Sequence, residues 1–413
     1  MQRGLAKGDF SAAELLQSHL KQIERLQPAV NAYTKVFDSP IQAGGGFGPL
    51  AGIPISIKDS LDIAGEATVC GHSARLGNRA SRHALCVERL LGSGAVLLGK
   101  SNTPELLMNW ETFNDHYGTT RNPWDLSRTA GGSSGGESSA IGACMSAGGI
   151  GSDGGGSIRL PAAMTGIAGL KPTPGRVPAT GHFPSVGHPG GLLGVIGPMA
   201  RTVEDVSILF HVVCGHASSD PFSVPFQALP GQLLGPIGYV EHPVVGMALP
   251  FVVEGTRLFP QQPWQRLYEV WRFFFLRLNA HPIGFPTPHT ASFLKEEPPG
   301  GAEILAMLAA RDALRGKFLE AMEECPILLL PNPGFGAWKC GEFPGVDSMA
   351  PLTVANLLGL PALAIPVGFD ENGMPLSVQA IGRPWHEEML LEFGMRIERA
   401  RGRFPLASLT GGL

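Results

Sequence analysis

The chain has 413 residues, 44% of them apolar and 16% charged, with 31 Lys and Arg set against 35 Asp and Glu for a formal net charge of −4. Such a chain can bury a large core without disulfide or metal staples, and it is not disordered. Its small, scattered negative charge offers no footprint for a nucleic-acid backbone or an anionic membrane surface. The 56 glycines and 36 prolines are in excess and have no repeating period, which points to many tight turns and to backbone packed close against something.

Taken along the chain, Ser11-Ala-Ala-Glu14 is a capping box, and Leu16, Leu20 and Ile23 follow at helical spacing until Pro28, which is expected to end the helix. Gly44 to Gly46 reads as a turn. Ile53 to Lys58 alternates as a strand, with Ile53, Ile55 and Ile57 on one face and Ser56 and Lys58 on the other. A helix over Ala84–Leu91, a turn at Gly92–Gly94 and a buried strand over Ala95–Leu98 give a strand-helix-strand rhythm, hence an α/β class. Ile327–Leu330 is a further strand. Pro361–Phe369 and Pro375–Gly382 read as a hairpin turning at Asp370–Gly373, so the sheet is mixed. The less regular middle, 221–299, holds one aromatic helix over Trp264–Leu278, with Trp264, Leu267, Trp271 and Leu278 on one stripe. That stripe reads as core or subunit contact ahead of a lid. Without a linker or an internal repeat, residues 1–413 are taken as a single domain.

The six cysteines, Cys70, Cys86, Cys144, Cys214, Cys325 and Cys340, form no CxxC pair. Cys144 beside Met145 and Cys214 after Val212-Val213 have apolar neighbours, and the set reads as reduced, mostly buried thiols of a cytoplasmic protein. Gln2-Arg3 leads into polar residues and not into the apolar segment of a signal peptide. The longest apolar stretch, Val244–Val253, is broken by Pro250 and is too short to span a bilayer.

Three motifs carry chemistry. Gly94-Ala-Val-Leu-Leu-Gly99-Lys100-Ser101 spells a phosphate loop, but Ala95–Leu98 is a stiff apolar run where such a loop needs small flexible positions. Gly131 to Gly136 contains G-x-S-x-G, yet it follows a loop and not the strand that a nucleophile elbow requires. The third is the segment from Gly131 to Pro174, with serines 24 positions apart at Ser133 and Ser157. Three glycines, Gly154, Gly155 and Gly156, precede Ser157, and without Cβ atoms their N–H groups can converge on one point as an oxyanion hole does.

These stretches, together with Ile53–Asp59, Gly99–Pro104, Asn122-Pro-Trp124, Gly166–Pro172, Leu360–Gly368 and Val378–Pro384, resemble the amidase signature family of serine hydrolases. The resemblance is spread over a core of about 50–210 and a C-terminal hairpin and helix at about 350–400. Thr173–Pro178 with Gly181–Pro184 is most similar to fatty-acid-amide-hydrolase-like and bacterial members. The resemblance implies a large mixed, mostly parallel twisted sheet flanked by helices on both faces. It also implies a triad of Ser157, Ser133 and Lys58, with Ser133 after a cis peptide bond relaying a proton from Ser157 to a neutral Lys58. A neutral lysine must be desolvated. Gly154, Gly155 and Gly156, with Ser157, would supply the oxyanion hole; Ser134 would support the relay, and Asp153 and Arg159 would tie down the loop.

Apolarity near the motifs marks Met108, Trp110, Phe113 and Phe183 as candidate pocket walls, which favours aryl or acyl substrates. No metal and no cofactor are expected. The partner expected is a small amide, ester or carbamate, with no nucleic acid and no membrane span, and a homodimer is left open. Two other readings stand beside this one: the A subunit of a glutamine-dependent amidotransferase, working with companion chains, and a disabled scaffold. The chain also departs from the family pattern. Gly154 replaces a commonly bulkier residue, which is expected to loosen the loop. Ser152 stands where threonine is common, and helices are expected to be missing near 39–46 and reduced near 238–259.

Overall fold

The computed structural model describes residues 1–42, 48–186, 193–226, 235–260, 262–278, 297–407 and 409. The predicted turn at Gly44–Gly46 lies outside them. Helix α1 (Gln2–Lys7) leads to α2 (Ala12–Val30), which opens on the expected capping box: Ser11 Oγ accepts from Glu14 N at 3.1 Å, and the Glu14 carboxylate accepts from Ser11 N at 2.8 Å. Pro28 does not end this helix. It stands in the last turn, where its missing N–H forfeits a single bond, and Asn31 closes the helix in the left-handed conformation, φ 51°.

The strands are β1 (Tyr33–Gln42), β2 (Pro54–Lys58), β3 (Val96–Ser101), the small ribbon β4 (Phe113–Asn114) and β5 (Gly118–Thr119), β6 (Gly148–Asp153), β7 (Ala168–Lys171), β8 (Val195–Ala200), β9 (Ile237–Tyr239), β10 (Thr256–Leu258), β11 (Ile327–Pro331), β12 (Ala362–Phe369) and β13 (Pro375–Gly382). Eleven of them form one sheet in the order β1-β3-β2-β6-β8-β7-β12-β13-β11-β9-β10. The Gly99-Lys100-Ser101 end of the phosphate-loop look-alike is ladder, within β3. The helices are α3 (Leu85–Gly92), α4 (Gly135–Gly142), α5 (Arg159–Thr165), α6 (Val203–Val213), α7 (Pro243–Ala248), α8 (Trp264–Arg272), α9 (Gly301–Glu324), α10 (Ala350–Leu357) and α11 (Glu387–Arg401).

The sheet is mixed, as expected, but parallel pairing is not the majority. β3–β2–β6 and β11–β9–β10 are parallel, whereas β1–β3 and the whole central run from β6 through β8, β7, β12 and β13 to β11 are antiparallel. The antiparallel majority has a topological cause: β8 enters between β6 and β7 and runs against both, and no local pattern announces a strand inserted from later in the chain. Helices cover both faces. Ala364 clusters with Ile158 and Ala162 of the α5 side, while its neighbour Leu363 faces α11, where a Cβ on Gly394 would fall 2.5 Å from Leu363 Cδ2.

Where a helix was expected to be missing near residue 39, the chain continues in β1 as far as Gln42; 43–46 lie outside the described residues. The helical part of the stretch 238–259 is the short helix α7 and a 3₁₀ turn, set between β9 and β10. The aromatic helix is shorter than its periodicity predicts, because α8 ends at Arg272 and continues as a wider π-helical turn, Phe273–Leu278. Leu278 still packs against the core, and Phe275, which the stripe did not include, stacks on Trp271 with centroids 4.8 Å apart and planes at 15°. All six cysteines are free; Cys70, Cys86 and Cys325 are buried, while Cys144 and Cys214 are only half-buried despite their apolar neighbours.

Candidate active site

The parallel strands β3, β2 and β6 end side by side, and clefts at the carboxyl ends of parallel strands are where α/β folds gather polar groups. β2 ends in Lys58. Its register with β6, Ile57 opposite Ile150, brings Ser152 and Asp153 alongside. Helix α4 starts at Gly135, so Ser133 and Ser134 sit at its N-terminus, and α5 likewise starts two residues after Ser157.

This convergence buries Lys58 fully and places its Nζ 2.8 Å from Ser133 Oγ, 3.0 Å from Ser152 Oγ and 3.4 Å from the Ser152 carbonyl. Ser133 follows Gly132 through a cis peptide bond. Burial pulls the Lys58 amine down to about 7; Cys70, Asp153 and Glu137 act in the opposite direction and do not offset it. The carboxylate next in sequence, Asp59, turns to Lys100 instead, at 2.9 Å. Glu137 of α4 accepts from Ser101 Oγ at 2.6 Å and from Ser56 Oγ, and burial raises its carboxyl to about 7.

Ser134 Oγ bridges to β6, donating to the Ser152 carbonyl at 3.3 Å and accepting from Ser152 N at 3.4 Å. Ser134 N also donates to the Ser157 carbonyl at 3.1 Å, which joins the two serine segments. Ser157 keeps 8% of its surface exposed, and its hydroxyl has no hydrogen-bond partner among the described residues. The expected Ser157–Ser133 hydrogen bond is therefore not made in this structure.

Asp153 and Arg159 form a fully buried two-pronged pair, Nε to Oδ2 and Nη2 to Oδ1, both at 3.1 Å. Arg159 also reaches Gln379 Oε1 and Asn356 Oδ1 at 2.6 Å each, so the loop is tied to β13 and α10. Burial alone would raise the Asp153 carboxyl, but Arg159 holds it well below the usual carboxylate range. Asp153 Oδ1 also accepts from Gly156 N at 2.7 Å, because the chain turns at Gly156 with φ 104° and tucks that N–H under the carboxylate. Gly156 is thus withdrawn from the predicted set of free donors. The N–H groups of Gly154, Gly155 and Ser157 have no acceptor among the described residues.

Gly154 does not loosen the loop. A Cβ there would fall 2.5 Å from Phe275 Cε2, so an aromatic ring fills the space a side chain would take. Of the four wall candidates, Trp110 touches the loop: its indole donates to the Gly155 carbonyl at 3.0 Å. Phe113 lies on the β4 ribbon with 49% of its surface exposed, the position of a solvent-facing ring and not of a pocket wall. The Phe183 ring is covered by the Arg75 guanidinium, 3.4 Å from its centroid, and Met108 is half-buried after a 3₁₀ turn. Ser152 stands out in the sequence only as a departure from the family pattern, and Trp271, Phe275, Asn356 and Gln379 escaped the sequence reading of the site. The glycine run pointed to none of them, since the last four reach the loop from more than a hundred residues away. Among the described residues no group of three or more His, Cys, Asp or Glu side chains is arranged to hold a metal ion, and no helix is long and apolar enough to cross a membrane.

A family model described as Amidase matches residues 14–235 and 288–391. The chain is 33% identical to the A subunit of glutamyl-tRNA(Gln) amidotransferase from Chloroflexus aurantiacus, over 96% of this chain and 95% of that protein. It is likewise 33% identical to AmiB2 of Mycobacterium tuberculosis, a protein named as a putative amidase, over 97% and 95%. Among solved structures, the peptide amidase of Stenotrophomonas maltophilia superposes with a TM-score of 0.82 at 25% identity, covering 98% of this chain and 97% of that one.

Proposed function

The chain belongs to the amidase family, and on that premise we propose that it hydrolyses carboxylic amide bonds through an acyl-Ser157 intermediate, with Ser133 and Lys58 as its proton relay. The observation that carries this reading is the buried Lys58 amine, 2.8 Å from Ser133 Oγ and outside any ion pair among the described residues. An amine brought down to about 7 is neutral in a large share of molecules at neutral pH and can take a proton.

Ser157 Oγ attacks the carbonyl carbon as its proton passes to Ser133, whose own proton passes to Lys58 Nζ. The carbonyl oxygen gains a negative charge, which the N–H groups of Gly154, Gly155 and Ser157 stabilise. The relay then runs in reverse and protonates the leaving nitrogen as the C–N bond breaks. Water, deprotonated through the same relay, attacks the ester carbonyl and frees Ser157. Trp110 and the aromatic rings beside it favour aryl or acyl groups, and esters and carbamates of that kind fit the same chemistry.

The test is turnover of a small panel of p-nitroanilides, p-nitrophenyl esters and carbamates by the purified protein and by Ser157→Ala. Loss of turnover in the variant supports the reading. Equal turnover in the two proteins overturns it, as does a wild type that neither turns over any member nor labels with a fluorophosphonate; the latter outcome fits a disabled scaffold.

A second reading is favoured by one finding, the 32–33% identity to the A subunits of amidotransferases along nearly the whole chain. In that case nitrogen released from glutamine passes to an acceptor on a companion chain. Glutaminase activity with co-purifying companion chains would establish it.

A further inference from the structure

The loop that faces the reacting carbonyl is held from outside by two indoles. Trp271 Nε1 donates to the Gly154 carbonyl at 2.8 Å, and Trp110 Nε1 donates to the Gly155 carbonyl at 3.0 Å. In a planar trans peptide the C=O of one residue and the N–H of the next point in opposite directions. The second indole shows the rule at work: with the Gly155 carbonyl on Trp110, the N–H of Gly156 points the other way and meets Asp153 Oδ1. By the same geometry the first indole turns the N–H of Gly155 away from Trp271, and that N–H meets no acceptor among the described residues.

The rings also set how far the loop can lean. Trp110 and Trp271 stack with centroids 5.8 Å apart, and Phe275 also stacks on Trp271, with centroids 4.8 Å apart. A Cβ on Gly155 would fall 2.4 Å from Trp271 Cζ2, as one on Gly154 would meet Phe275. Glycine at both positions and aromatic rings opposite them are two halves of one close contact.

Resting on the hydrolytic reading, we propose that Trp271, backed by Trp110 and Phe275, is a positioning residue that aims the Gly155 N–H at the developing oxyanion. Trp271→Phe is the direct probe, because it keeps a ring in the stack and deletes the N–H. The readout is the rate at which a fluorophosphonate labels Ser157. Ser157 Oγ attacks phosphorus, its proton leaves through Ser133 to Lys58, fluoride departs, and the phosphoryl oxygen gains charge where the amide oxyanion would sit. The probe therefore reports on the loop without requiring the natural substrate.

The expected result is labelling slowed about tenfold to a hundredfold in Trp271→Phe, below the loss seen when an oxyanion donor is removed outright. With an anilide, kcat falls by a similar factor while KM holds, and the pH midpoint stays that of wild type. Trp110→Phe acts in the same direction and more weakly. A folded Trp271→Phe that labels at the wild-type rate overturns the proposal.

The Gly154–Phe275 contact gives a second route should Trp271→Phe not fold. Gly154→Ala alone slows labelling, and adding Phe275→Leu recovers at least part of the rate; no recovery overturns the proposal. A wild type that labels no faster than Ser157→Ala removes the hydrolytic reading and this inference with it, a pattern distinct from the failure of the variant alone.

Discussion

Lys58 and Lys100 sit on neighbouring parallel strands one residue out of register, Ile57 pairing with Lys100 and Lys58 with Ser101, so their side chains leave opposite faces of the sheet. Asp59 lies with Lys100 and neutralises it at 2.9 Å. Lys58 is left among hydroxyls and a carbonyl, with Ser133 Oγ in reach, and this is the setting the proposed mechanism requires of its base.

The first consequence is a pH profile. On the proposed mechanism the neutral form of Lys58 is the active one, and with burial lowering its amine to about 7, kcat/KM for an anilide is expected to rise as pH increases through that value and then level. Two units below the midpoint the activity is roughly one hundredth of the plateau. A profile flat from pH 5 to 9 contradicts a lysine base.

Glu137 tunes that midpoint. Burial raises its own carboxyl to about 7, so it is ionised only in part at that midpoint; the ionised fraction raises the Lys58 pKa, and Glu137→Gln, which retains the side-chain shape between Ser56 and Ser101, moves the rising limb to lower pH. The midpoint is read from kcat/KM between pH 5 and 9; an upward move refutes the assigned sign.

Removal of the bridge separates the steps of the relay. Ser133→Ala is expected to lower kcat by roughly 10²–10⁴-fold, the range for losing positioned proton transfer. The loss is greater for an anilide than for a p-nitrophenyl ester, whose phenolate leaves without a proton. Equal losses on both substrates place the contribution of Ser133 before the leaving-group step.

The Asp153–Arg159 pair governs stability as well as loop position. Asp153→Asn leaves the Arg159 charge buried without a counterion and is expected to cost about 3–5 kcal/mol, seen as a lower Tm. In the wild type the folded Asp153 pKa lies below the unfolded value of about 3.9. As pH falls below about 4 the unfolded chain takes up the proton first, so stability is lost toward acid. The Asn variant lacks that component of the acid dependence, which urea titrations at pH 3 and 6 resolve.

Much of this was legible in the linear chain. The capping box at Ser11, the alternation that ends in Lys58, the hairpin at Asp370–Gly373 and the glycine run before Ser157 are all local patterns, set by backbone geometry over a few residues. Family resemblance named Lys58, Ser133 and Ser157, and the fold brings these segments together at the ends of β2, α4 and β6. What tertiary structure alone decided is pairing across long separations. It placed β8 between β6 and β7, gave Asp59 to Lys100 and not to Lys58, spent the Gly156 N–H on Asp153, and laid Trp271 and Phe275 against two glycines more than a hundred residues earlier. Each depends on which distant surface fills a volume or satisfies a buried donor, and such a partner leaves no periodicity in the sequence of either segment.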